Sequence, residues 1–341
     1  MLTKKLKTLF GHLWFTIWLW MRPLVKWVLR KSTQLCEIQR ICYATLPGAE
    51  RSTKVEFSLE HSRHAEIQKC CAYLSSKAEE QQIRPDVIHY AVYAVVRVKD
   101  INTKLHPKFS GQLLSCIGSI WGYRQLISEV ESLCNIGCST AAQLPANAQQ
   151  VTDKLQTLWQ ALKPDSHLQK LVSKQWQEIG FQGEDPCTDF RGMGLLALEN
   201  LLYFAVTHES AARHVLSRSC HPRYGYSFGI VGINLTHLAL TLLKDGALKH
   251  HFYNVAVKEM KEAALSASST SGTAGVQLPS LRHFHQVYCY IFFEFDSLWR
   301  NEKPRDIMEF NRVRDLFEKK LRAQLKSYDC ILKTNFVLRN V

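Results

Sequence analysis

The stretch Leu281-Arg-His-Phe-His-Gln-Val-Tyr-Cys-Tyr-Ile-Phe-Phe-Glu-Phe-Asp-Ser-Leu298 decides the fold class. Leu281, Phe284, Tyr288, Phe292, Phe295 and Leu298 recur at a 3.5-residue period, which gathers them on one face of a helix and scatters them across both faces of a strand. Ile307, Phe310, Phe317 and Leu321 trace a second such stripe. Pro279 and Pro304 stand near the two starts, where a missing N–H costs a helix nothing. Upstream, Gly225 to Leu243 is apolar on most faces and reads as a buried central helix, with Gly229 and Gly232 admitting close neighbours. Asn234, Thr236 and His237 interrupt it and argue against a membrane span; the Asn234-Leu-Thr236 glycosylation pattern is accidental in such a helix. No alternating strand pattern and no internal repeat is visible, so the fold class is all-α.

Two polar stretches punctuate the 341 residues. Residues 143–151 separate an N-terminal helical region, 32–142, from a C-terminal domain over 152–330. Residues 266–277, rich in Ser, Gly and Thr, form a tolerated surface loop between two helices. The segment 1–31 stands apart as a basic, aromatic, amphipathic helix.

That segment supplies much of the formal charge of +13: the first forty residues hold eight Lys/Arg against the single acid Glu37. Lys4, Lys5 and Lys7 precede the apolar run Leu13-Trp-Phe-Thr-Ile-Trp-Leu-Trp-Met21, but Arg22, Pro23 and Lys26 follow where a signal peptide needs a small-residue cleavage site. Nine residues are too few to cross ~30 Å of hydrocarbon as a helix. Trp14, Trp18, Met21, Val25 and Val28 fall at helical spacing, with Trp20 beside them. Two readings stay open: a helix lying in the interface of an anionic membrane, where indole rings favour the headgroup level, or one folded back on the core. The rest of the chain has a mild basic excess without a stripe, and no nucleic-acid module is recognisable.

Eleven cysteines in a chain this long read as reduced thiols of a cytoplasmic protein rather than as a disulfide framework. His283, His285 and Cys289 lie close together but lack closed four-ligand spacing, so no metal is expected. No cofactor motif is present either. Gly192-Met-Gly-Leu-Leu-Ala197 fits a dinucleotide fingerprint without its preceding strand, and no phosphate-binding P-loop occurs.

The most unusual run is Trp176-Gln-Glu-Ile-Gly-Phe-Gln-Gly-Glu-Asp-Pro-Cys-Thr-Asp-Phe-Arg-Gly-Met-Gly194. One arginine, Arg191, sits among acids and glycines on a loop at a helix start. Asp185-Pro186 can open a turn, and Gly192 and Gly194 let the backbone bend around Arg191. Asp185 and Asp189 can hold the loop or accept the planar N–H pairs of a guanidinium. The residues alone allow a structural ion pair or a phosphate-facing arginine.

The run from Ile179 to Gly194, including Gln182 and Gly183, resembles the signature of the ELMO domain. Agreement continues through Asn200-Leu-x-Tyr-Phe204, Leu216-Ser-Arg-Ser219, His221-Pro222, Gly225-Tyr-Ser227, Ile230 to Thr236, Ala247-Leu-Lys, His251 to Asn254 and Ile307 to Asn311. Cys36 to Cys42 and Pro47-Gly-Ala49 resemble the N-terminal part of ELMO domain-containing proteins. Ala197 departs from the glycine common in relatives, and the 266–277 loop looks inserted. The resemblance implies a compact multi-helix ELMO domain and a GTPase-activating protein for GTP-bound Arf and Arf-like GTPases of the Arf-like protein 2 type. It implies that Arg191 is the essential arginine, acting in trans, with Asp185, Pro186, Asp189, Gly192, Gly194, Gln182 and Gly183 as its supporting loop. The alternative is a non-catalytic effector or scaffold that binds Arf-like GTPases at membranes. Lys4, Lys5, Lys7, Trp14, Trp18 and Trp20 are the candidate contacts for peripheral association with an intracellular membrane.

Overall fold

A computed structural model of the chain describes residues 2–138, 145–266 and 278–336, with side chains of the first helix described from residue 16. Among the described residues the regular structure is helical throughout. The order is α1 (Leu2–Thr33), α2 (Glu37–Ala44), α3 (Ala49–Glu60), α4 (Ala65–Glu79), α5 (Pro85–Val98), α6 (Phe109–Asn135), α7 (Pro145–Leu162), α8 (Gly194–Thr207), α9 (Glu209–Ser219), α10 (Phe228–Lys244), α11 (Lys249–Ser266), α12 (Leu281–Glu302) and α13 (Phe310–Leu325). The loop 267–277 lies outside the described residues.

Helices α8, α10 and α12 pack on one another, and the long α6 joins this group to α3, α4 and α5. The stripe read on α12 is the buried one: Phe284, Tyr288, Phe292 and Phe295 are fully enclosed. On α10, a Cβ at Gly232 would come within 2.6 Å of Leu201 and 2.8 Å of the Tyr288 hydroxyl, so this glycine sets how closely α8 and α12 approach. The second stripe is shorter than its sequence suggests. Phe317 and Leu321 are buried, but Ile307 is exposed in a 3₁₀ turn before α13.

Residues 145–151, read as part of a connector, form the first two turns of α7, and Val151 is buried. Pro145 suits the first helical position, and a polar face is what a helix on the surface shows to water. One hydrophobic cluster runs from Cys36 to Leu332. Polar clamps cross it. Asn254 on α11 accepts from the Ala49 amide at 2.8 Å and donates to the Tyr328 and Cys330 carbonyls at 2.7 and 3.0 Å. Glu56 of α3 meets Lys249 at 2.9 Å and accepts from the Tyr253 hydroxyl at 3.1 Å. Each clamp satisfies groups that would otherwise be buried unpaired.

Candidate functional site

The loop between α7 and α8 is built from two 3₁₀ turns, Lys174–Ile179 and Pro186–Gly192. Its backbone is pinned from three directions. Asp185 caps the second turn by accepting from the Cys187 amide at 3.0 Å, and the Thr188 hydroxyl returns to the Asp185 carbonyl at 2.8 Å. Asp189 Oδ2 accepts from the Gln182 amide at 2.8 Å, tying the start of the loop to its end, and the Gln182 carbonyl accepts from Gln177 at 3.3 Å. Beneath lies a run of edge-to-face rings, Trp159, Trp176, Phe181 and Phe190, with successive centroids 5.5 Å apart. Phe190 is wholly buried, and Pro186 and Cys187 are buried with it. Such aromatic pairs add ~0.5–1.5 kcal/mol each beyond the area they bury.

Gly194 closes the loop. Its φ of +53° lies in the left-handed region, and a Cβ would meet the Cys134 and Ile136 carbonyl oxygens at 2.3 and 2.4 Å. The next amide, Leu195, donates to that Ile136 carbonyl at 2.8 Å, so α8 starts against the end of α6. Gly192 is different: it is exposed, its φ is ordinary, and open space surrounds it. Gly194 is thus required by its contacts with the end of α6, whereas no neighbouring atom crowds Gly192. Gly183 is half-buried, beside the Ser173 amide bond to the Glu184 carbonyl at 2.9 Å.

Arg191 follows the buried Phe190 directly, and its side chain is exposed. Among the described residues it makes no hydrogen bond and no ion pair, unlike the arginines at 22, 124, 218 and 322. The flanking carboxylates do not grip the guanidinium; Asp185 and Asp189 receive backbone amides instead. The structure thus holds the loop with the acids and leaves the cation unpaired, five N–H donors facing solvent.

The comparisons with known proteins bear on this same segment. The ELMO/CED-12 family model matches residues 136–314, which begin at the end of α6 and include the whole loop. ELMO domain-containing protein 1 of Bos taurus is 41% identical over 329 residues, covering 92% of this chain and 90% of the relative. The chain belongs to the ELMO domain family. Human ELMO domain-containing protein 2 is 39% identical over 321 residues, with 94% of each chain covered, and ELMO domain-containing protein B of Dictyostelium discoideum is 30% identical over 309 residues.

Several ELMO-domain matches found in the sequence are structural. Asn200 donates to Thr236 at 3.2 Å and accepts from His285 at 2.7 Å in a buried network; burial lowers the His285 imidazole to about 4, which keeps it neutral. Tyr226 donates to Asp296 at 2.8 Å. His283 lies 2.7 Å from Glu259, and Cys289 is buried, so the trio read near that helix start goes three separate ways.

At the N-terminus the side chains of Lys4, Lys5, Lys7 and Trp14 lie outside those described. Trp18 leans on Phe57, centroids 5.6 Å apart, and Trp20 is 78% exposed. Leu24, Trp27 and Val28 are exposed too, so more than one apolar stripe faces outward, wider than the spacing of Trp14, Trp18 and Met21 suggests. No helix among the described residues is long and apolar enough to cross a membrane. What the sequence concealed is the fastening. Arg22, only 6% exposed, forks onto Glu37 at 2.9–3.2 Å, and Lys26 reaches the same carboxylate at 2.6 Å. The lone acid of the first forty residues was the available signal.

Proposed function

We propose that this chain stimulates GTP hydrolysis by Arf and Arf-like GTPases, with Arg191 entering the partner's nucleotide site in trans. The observation that supports it is the contrast at residues 190–191: a buried aromatic and two capped acids immobilise the backbone, while the next side chain is exposed and unpaired. During phosphoryl transfer, negative charge builds on the γ-phosphoryl and leaving oxygens. A planar guanidinium meets those oxygens with two parallel N–H donors. Pre-ordering the backbone reduces the entropy lost on insertion, and a side chain without an internal partner has no ion pair to break. Asp185 and Asp189 flank the cation, yet each is engaged by an amide, which moderates their repulsion of phosphate. The chain carries out no turnover of its own.

Peripheral membrane association through α1 belongs to the same reading. Its exposed Trp20, Leu24, Trp27 and Val28 suit the headgroup region, and the Arg22–Glu37 fork fixes the helix to the body.

Single-turnover hydrolysis by a small panel of GTP-loaded Arf and Arf-like GTPases tests the proposal. Arg191→Lys keeps the charge and loses the fork; it should remove most of a stimulation on the order of 10³–10⁵, roughly 4–7 kcal/mol of barrier. Equal rates for wild type and Arg191→Ala, with binding retained, would leave a non-catalytic binding module instead.

A further inference from the structure

Between α1 and the turn joining α3 to α4 lies a cleft of ≈ 470 Å³ that the Arg191 loop does not use. Leu19, Pro23 and Lys26 form its α1 wall, and Arg63, His64 and Lys99 line the opposite side. Its cations outnumber its acids in reach. Arg22 and Lys26 share Glu37, which also accepts from the Ser58 hydroxyl. Glu60, the acid of the lining, is engaged by Arg124. Among the described residues, Arg63 and Lys99 have no carboxylate at ion-pair distance, and Arg30 adds its charge by donating to the Lys99 carbonyl at 3.3 Å.

The neighbouring groups register this crowding. The Lys99 ammonium, followed by burial, Arg30 and Lys26, depresses the His64 imidazole, and Glu66 only partly offsets them. Burial chiefly lowers the Lys99 ammonium; Lys26 and Arg30 lower it further, against Cys36 and Glu37, which raise it. An anion entering the cleft stabilises the charged forms that burial and the neighbouring cations disfavour at Lys99 and His64.

The source of that anion follows from α1. Trp20, Leu24 and Trp27 are each one residue on from Leu19, Pro23 and Lys26, about 100° round the helix, so an exposed apolar stripe borders the cleft. Rings of this kind settle at the headgroup level of a bilayer, which brings lipid phosphates to the cleft's mouth. We propose that the cleft receives the phosphoryl headgroup of an anionic lipid, with Arg63 and Lys99 as its ligating cations. This rests on membrane docking by α1 and is independent of what Arg191 does.

The test uses the full chain in sedimentation with three kinds of vesicle: phosphatidylcholine alone, doped with phosphatidylserine, or doped with phosphorylated phosphatidylinositol. Thermal unfolding with inorganic phosphate or inositol hexakisphosphate provides the soluble arm. Arg63→Gln with Lys99→Gln should weaken partition onto anionic vesicles about fivefold per cation, about 25-fold for the pair, since each surface cation contributes ~1 kcal/mol. Arg63→Lys with Lys99→Arg should restore it, and binding to neutral vesicles should not change. Loss that the charge-conserving pair does not rescue overturns the headgroup role. Unchanged partition by the Gln pair overturns it as well, while leaving α1 docking intact. Failure of wild type and of Trp20→Ser/Trp27→Ser alike to bind any vesicle removes the docking reading along with it. Protection by the soluble anions without vesicle binding assigns the cleft to a free phosphate and overturns the lipid.

Discussion

Arg191 and Arg22 are treated in opposite ways by the same fold. Around Arg22 the side chain is locked, forked onto Glu37 with its guanidinium 4.8 Å above the Phe57 ring, while the apolar residues of the same helix are left in solvent. Around Arg191 the backbone is locked, by Phe190, Asp185 and Asp189, while the charged group is left in solvent. Arg218 stands between them: its Nε lies 3.0 Å from the fully buried Asp296, close enough for charge attraction but not aligned as a hydrogen bond. Nearby acids therefore do not determine whether an arginine is structural; what matters is whether the acids face its guanidinium or face amides.

The largest effect expected is at Arg191, where substitution by Ala should abolish stimulated hydrolysis yet shift unfolding by no more than the ~0.5 kcal/mol usual for surface changes. Unfolding of the variant would place Arg191 in the class of Arg22 and end the comparison. Phe190→Ala should do both kinds of damage. Removing a fully buried Phe costs ~3–5 kcal/mol by chemical denaturation, and the freed loop should lower stimulation by stabilised, still folded protein.

Asp296 gives a pH test of the intermediate case. Burial raises its carboxyl to about 6 from an ordinary 3.8, against the pull of Arg218 and the Tyr226 hydroxyl. A raised carboxyl binds its proton more tightly folded than unfolded, so its contribution is fully present below about pH 4 and is lost as pH rises to about 6. Thermal unfolding of wild type against Asp296→Asn should show a difference that changes by about 3 kcal/mol over that window, with the substitution relatively more favourable at the higher pH. A flat difference would mean that Arg218 fully compensates the buried charge. Glu37→Gln should cost less, about 2 kcal/mol, because Arg22 is left buried with a weaker acceptor while Lys26 can turn to water.

Much of this was legible in the residues. The period of Phe284, Tyr288, Phe292 and Phe295 gave both the helix and its buried face, because a 3.5-residue stripe has only one way to be enclosed. The position of Arg191 on a loop before a helix was equally readable. Its exposure was not, since Asp185 and Asp189 flank it identically whether they accept from a guanidinium or from an amide. Pairings distant along the chain, such as Asn254 with Ala49 and Cys330, leave no local periodic signal. The 143–151 stretch misled for a simpler reason: polarity marks exposure, and the exposed Gln149 and Gln150 of α7 are as polar as a linker.

The smallest effect separates holding the loop from aiming the cation. Asp189→Asn keeps an oxygen able to accept from the Gln182 amide and removes the negative charge. A hydrogen bond to a charged acceptor is worth ~1.5–3 kcal/mol and a neutral one about 1, so the loop should weaken by ~1 kcal/mol and survive. With Arg191 unpaired to Asp189 in the free protein, stimulated hydrolysis should fall by less than about tenfold, the equivalent of 1.4 kcal/mol. A loss as deep as that of Arg191→Ala would mean that Asp189 turns from the amide to the guanidinium when the partner docks. In that case the separation between a locked backbone and a free cation holds only in the unbound protein.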